Sequence, residues 1–273
     1  MRASRRTFLR LAATAVAVHF TGNRPALARA NISRERERDH KPYYFTGADL
    51  AGWQTVLGDG IYTAEGETAV SPDDIATTHH TSYSTLQANI HQRNIMAHNI
   101  TYLPILNDRA FNYIHTCSYQ FRLPYQPDQT NNQHNGQTIE GGFFIWDGIE
   151  TRLDYGLAFQ WIINPWDEKY GHLCCWSSQN GGEWIAVGHI PPDTNWHQVV
   201  MVLDYRRRTT ALIIDDQHFP SQFSQTPKSD SWDSHIAARL QAEIISLYPG
   251  VGGSQVSHEA HFRNWHWKWE PYR

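Results

Sequence analysis

From residue 111 to 123 the chain reads FNYIHTCSYQFRL, and its side chains change character with a period of two. Phe111, Tyr113, His115, Cys117, Tyr119, Phe121 and Leu123 fall on one side, and Asn112, Ile114, Thr116, Ser118, Gln120 and Arg122 on the other. Successive side chains of a strand point to opposite faces, so this spacing predicts a strand with its odd positions in a core and its even positions toward a wetter surface. The stretch RLDYGLAFQWIIN repeats the pattern. Leu153, Tyr155, Leu157, Phe159, Trp161 and Ile163 form its apolar side, with Arg152, Asp154, Gln160 and Asn164 opposite. Further short apolar runs lie near 53–57, 83–90, 95–103, 138–146, 172–177, 183–189, 197–204, 210–215, 239–247 and 260–269, broken by Gly, Pro, Asn and Asp. Nothing after Tyr43 sustains a 3.6-residue period. About a dozen strands are too many for one flat sheet without curling or splitting. The pattern therefore predicts one all-β domain over 43–273, built as an antiparallel sandwich of two packed sheets.

Residues 195–216, NWHQVVMVLDYRRRTTALIIDD, read as two strands joined by a turn through Arg206–Arg208, whose three guanidinium groups form a solvated tip. Val200 and Val202 alternate with Val199, Met201 and Leu203, so both faces of the first strand are apolar, which predicts a strand covered on both sides. Trp196 is expected to cap one end of the core. The segment resembles the tract W-H-x-V-x-x-V-x-D, turn, L-x-I-D of the concanavalin A-like lectin and glucanase superfamily, including its laminin-G-like members. YGLAFQW and AHFRNWHWKW sit where that family has other diagnostic strands, and LAGWQTVLGDGIY resembles its opening strand. The likeness is fuller over 138–273 than over 43–137. It implies an antiparallel jelly-roll β-sandwich with a saccharide site on the concave outer face of one sheet. The architecture also hosts hydrolases, lyases and structural domains, so the resemblance does not select an activity.

The first thirty residues change the charge picture. SRRTFLR carries paired Arg5 and Arg6 followed by Phe8 and Leu9, the run Leu11 to Phe20 is apolar but too short to span a bilayer, and ALARA ends in small residues. This resembles a twin-arginine export signal cleaved after Ala30, and implies a periplasmic or extracellular protein. Residues 31–42, with their alternating charges, read as a linker. The signal holds six arginines and no acid, so of the chain's 23 basic and 27 acidic residues, 17 and 27 remain after it, a formal net charge of −10. Nucleic acid and anionic lipid both require a basic footprint and are not expected partners. No membrane span is expected once the signal is removed, and a monomer is expected.

Three cysteines remain, Cys117, Cys174 and Cys175. Adjacent cysteines rarely bridge each other, so any disulfide would join Cys117 to one of the other two. No spacing typical of zinc is present. Of the histidines, His115 falls on the apolar side of its strand and reads as a core residue. His261 and Trp265 are expected on one face of the last strand, with His266 opposite. No cofactor is expected; Asp204, Asp215 and Asp216 are possible oxygen donors to a structural calcium, without the spacing of a known calcium loop.

The expected partner is a poly- or oligosaccharide. Aromatic rings stack on the C–H side of a pyranose, while planar amide, carboxylate and guanidinium groups read its hydroxyls and acid groups. The candidate carbohydrate-binding set is Gln120, Arg122, Glu140, Trp146, Arg152, Asp154, Gln160 and Glu243, expected to converge on one hollow; Gln241 shares a face with Glu243. Catalytic residues are not assigned. The E-x-D-x-x-E strand motif of family hydrolases is absent, although two carboxylates from separate strands would serve. Gln87, His91, Arg93, His115, Tyr119 and Arg122 are the residue types of a polysaccharide lyase, without the R-[ST]-E-L-R and Q-[IV]-H motifs. The competing reading is a non-catalytic structural or interaction domain of the cell envelope.

Overall fold

The computed structural model describes residues 43–57, 73, 75–88, 96–106, 111, 113–126, 136–146, 156–179, 182–222, 237–247 and 258–271. Fifteen strands occupy them: β1 (Tyr43–Gly47), β2 (Gln54–Leu57), β3 (Ile75–His79), β4 (Ser84–Ala88), β5 (Met96–Leu106), β6 (Tyr113–Arg122), β7 (Gln137–Trp146), β8 (Gly156–Ile163), β9 (His172–Ser177), β10 (Glu183–His189), β11 (His197–Asp204), β12 (Thr209–Ile214), β13 (Gln217–Phe219), β14 (Ala237–Leu247) and β15 (His258–Pro271). Every pairing is antiparallel. Sheet A runs β13-β12-β11-β6-β15-β4-β3, with β1 paired to β15, and sheet B runs β10-β9-β8-β7-β14-β5-β2. β1 and β4 lie end to end along one edge of β15, while β6 occupies its other edge. The protein is an all-β antiparallel sandwich, as the alternation predicts.

The core forms where the inward sides of the sheets meet. β6 alternates buried and half-buried along its whole length, and its odd residues join Leu157, Phe159, Trp161 and Ile163 of β8 in one cluster. Tyr119 stacks on Trp265 at 4.1 Å, and Trp53 lies 4.3 Å from the same ring. His115 is a core histidine, with no exposed surface, and its Nδ1 accepts the Trp267 indole N–H at 3.3 Å. The Tyr119 hydroxyl reaches sheet B: a Cβ added at Gly141 would lie 1.7 Å from it. Only glycine lets the two sheets close at that point.

Three expectations are corrected, and no disulfide joins the cysteines. All three cysteines are free and buried. Cys117 and Cys175 face the core, from opposite sheets. Burial pushes the Cys117 thiol well above its ordinary value and the Cys175 thiol up to about 12, so both stay protonated and unreactive. Val200 and Val202 are half-buried, because the outward face of β11 is not covered as its inward face is. Trp196 caps no core; it stands on the outer side of sheet A, half-buried. Finally, β15 carries a bulge between Arg263 and His266, with Asn264 in the left-handed region at φ 56°. The bulge reverses parity along the strand. His261 faces outward before it and Trp265 faces the core after it, so the two do not share a face.

Candidate functional site

The candidate residues divide between two opposite faces of the sandwich. Glu140, Gln160 and Glu243 stand on the outer side of sheet B, since their neighbours Ile139, Phe159, Ala242 and Ile244 belong to the core. The register sets Glu243 directly across from Glu140, and Glu140 directly across from Gln160. Adjacent strands are about 4.8 Å apart, so these three form a transverse row. Gln160 Nε2 donates to Glu140 Oε2 at 2.8 Å. Along β14, Arg239 Nη2 donates to Gln241 Oε1 at 2.6 Å and Gln241 Nε2 donates to Glu243 Oε2 at 2.7 Å. Each carboxylate thus receives a planar amide, and a guanidinium closes one end.

The row is sealed at one end and open at the other. Arg239, Glu243, Gln241 and Glu140 are at most 3% exposed, whereas Gln160 is half-buried. Beside Gln241 the strands place Gly142 and Ala158, and the same register continues to Trp176 and Trp184. The absence of a side chain at Gly142 makes room for the Phe144 ring, which a Cβ there would approach to 2.5 Å. Trp176 and Trp184 are cross-strand partners with ring centroids 5.3 Å apart, both half-buried, at the open side of the row. These two tryptophans lie outside the set read from the sequence. Trp176 had a usable signal, since its even position in HLCCWS places it opposite the core-facing Cys175.

Gln120 and Arg122 lie on the other face, outside sheet A. Arg122 Nε donates to His261 Nδ1 at 3.1 Å, which leaves His261 Nε2 as the protonated nitrogen, donating to Glu259 Oε1 at 2.7 Å. His261 holds the Glu259 carboxyl below the ordinary carboxylate range, with Gln87 and His80 adding to the effect against partial burial. Glu259, His261, Gln87, Thr85, Tyr83 and His80 line a shallow depression of about 270 Å³. Tyr83 stacks against His80 at 4.5 Å and lies 4.8 Å from His261. This separation corrects the expected single hollow. Gln120 and Arg122 extend from β6 in sheet A, and no rotamer carries them through the core to β7, β8 and β14.

Trp146 ends β7 opposite Ala237; its side chain, together with Arg152, Asp154, His91 and Arg93, lies outside the described residues. The three aspartates considered for calcium do not converge. Asp204 receives the Arg207 backbone N–H at 2.8 Å at the turn end of the β11–β12 hairpin, and Asp215 is tied to His197 at 2.6 Å and to the Gln198 N–H at the other end. Among the described residues, no group of three His, Cys, Asp or Glu side chains stands ready for a metal ion, and no helix is long and apolar enough to cross a membrane.

No protein-family model matches the chain, and no curated protein does. Among solved structures, the chain is similar to a basic winged bean lectin with Tn-antigen, at 10% identity over 85% of this chain and 100% of that one, TM-score 0.44. Peanut lectin with a 9-mer peptide gives 10% identity over 85% and 99%, TM-score 0.45. A sialidase gives 11% identity over 72% of this chain, TM-score 0.43, and the chain spans 16% of that protein's length. Likenesses this loose assign neither a family nor an activity.

Proposed function

We propose that this is an exported saccharide-binding protein of concanavalin A-like kind, and that its ligand lies on the outer side of sheet B at the open end of the row, against Gln160, Trp176 and Trp184, with the buried carboxylate–amide groups behind it. The observation that carries the reading is the carboxylate pair. Glu140 and Glu243 face each other on neighbouring central strands, nearly shut off from water, each held by an amide. Replacing buried charged groups with apolar ones of similar size is often neutral or stabilising, so packing alone gives no reason for two carboxylates at this place. Their burial side by side points to chemistry. Carboxylates, amides and a guanidinium in one row match the alternating donors and acceptors of a sugar ring, and Trp176 with Trp184 offers aromatic surface at the open end.

The same pair favours a second reading, glycosidic cleavage. Directly opposed residues of an antiparallel pair have Cβ atoms about 4.5–5.5 Å apart, and retaining glycosidases hold their carboxyl groups about 5 Å apart. Binding and cleavage separate in one set of measurements. The full chain is screened on a glycan array, and ligands found there are incubated with wild type, Glu140→Gln and Glu243→Gln while reducing ends are counted. Binding with cleavage lost in both variants supports hydrolysis. Binding without release by the wild type leaves a lectin. A folded protein that binds no saccharide overturns the reading in favour of a structural domain of the envelope.

A further inference from the structure

On the opposite side of the sandwich, Arg122 and Arg263 both lie over the ring of Trp196, with their guanidinium carbons 4.8 Å and 3.9 Å from its centroid. They are brought together by the register of sheet A and by the bulge in β15. Arg263 pairs with Gln120, and Arg122 with His261, so the two arginines are diagonal neighbours. The left-handed Asn264 turns two consecutive residues to the same side. Arg263 Nε and Asn264 Nδ2 both donate to Gln120 Oε1, at 2.7 Å and 3.0 Å.

What each guanidinium bonds to is informative. Arg122 donates through Nε to a neutral imidazole nitrogen, and Arg263 donates through Nε to a neutral amide oxygen. Neither forms an ion pair among the described residues. Glu259, the carboxylate nearest in this network, is already bonded to His261. Two positive groups therefore share one indole ring, oriented by neutral acceptors, with their charge uncompensated and both half-exposed. Stacking on an aromatic face favours a cation, but like charges held together repel each other. An oxyanion resolves that conflict, since guanidinium nitrogens match carboxylate and sulfate geometry.

We infer that Arg122, Trp196 and Arg263 form a binding site for an oxyanion, the carboxylate or sulfate group of an acidic saccharide. The site is separate from the row on sheet B and stands whether or not that row binds sugar. The chain as a whole carries a net charge of −4, so attraction at this point is a local property of the pair.

Calorimetric titration of the full chain at low ionic strength tests it, with three probes: potassium sulfate, an oligogalacturonate, and a neutral oligosaccharide of equal length. Sulfate or oligogalacturonate is expected to bind, the neutral sugar at least about tenfold more weakly at this site. Arg122→Gln and Arg263→Gln should each weaken anion binding by about tenfold or more, and Arg207→Gln, which removes an exposed charge from a distant turn, should leave it unchanged. Binding of sulfate alone identifies a site for a free anion, and binding of oligogalacturonate a site for a sugar acid. Circular dichroism confirms that each variant folds; where a glutamine variant does not, the lysine variants, which keep charge and lose the planar fork, should show a smaller but measurable loss. The inference is overturned if no anion binds, if the double glutamine variant binds as the wild type does, or if Arg207→Gln weakens binding equally.

Discussion

Residue by residue, the packing arguments give definite expectations. Gly141 is the sharpest, because the Tyr119 hydroxyl occupies the place where any Cβ would go. Gly141→Ala should destabilise the fold by about 1–3 kcal/mol, the usual cost of overpacking a core, read as a lower denaturant midpoint at unchanged slope. The double variant with Tyr119→Phe should recover part of that loss. Glu259 carries a pH signature. Its carboxyl is held low in the folded state, chiefly by the hydrogen bond from His261. Its contribution is therefore present above the ordinary carboxylate pKa and disappears as pH falls through the lowered folded-state value. Glu259→Gln should be less stable than wild type at pH 7 in urea melts, and the difference should shrink toward pH 3. A constant difference would show that the carboxylate is not the source. His115 was legible from its place on the apolar side of a strand. Trp196 was not, because a tryptophan just before an apolar strand looks the same whether it closes a core or supports two arginines.

Among the elements, period-two alternation carried most of the information. Twelve of the fifteen strands fall where apolar runs stand between turn residues. The three that were not anticipated, β1, β3 and β13, have five residues or fewer and partly exposed side chains, so they lack a full apolar face. Alternation fails where the backbone breaks its own period. In β15 the bulge moves Trp265, Trp267 and Trp269 to the core side from a phase that HEAHFRNWHWKWEP does not reveal. Asn264 is well suited to this bulge, because a short polar side chain tolerates the left-handed region. Asn264→Val should cost on the order of 1–3 kcal/mol from backbone strain, and Asn264→Gly much less. Equal losses in thermal melts would remove the backbone explanation and leave the Gln120 hydrogen bond as the reason for asparagine.

For the molecule as a whole, assigning polar positions to outward faces was sound, and assigning them to one hollow was not. Strand periodicity says which way a side chain points relative to its own sheet. It does not say which sheet the strand joins. β6 belongs to sheet A and β7, β8 and β14 to sheet B, so Gln120 and Arg122 are separated by the core from Glu140, Gln160 and Glu243. The result is a sandwich with two differently equipped surfaces. One carries a buried carboxylate–amide row leading to a tryptophan pair, and the other a pair of arginines on a tryptophan. The central claim is that the sheet B row is where saccharide binds. It is tested most directly by calorimetric titration of a glycan-array ligand into the wild type, Glu243→Gln and Trp176→Ala. The account predicts that Trp176→Ala weakens binding by about 0.5–1.5 kcal/mol, the scale of one lost aromatic contact, and that Glu243→Gln weakens it further. Unchanged affinity in both folded variants would contradict it.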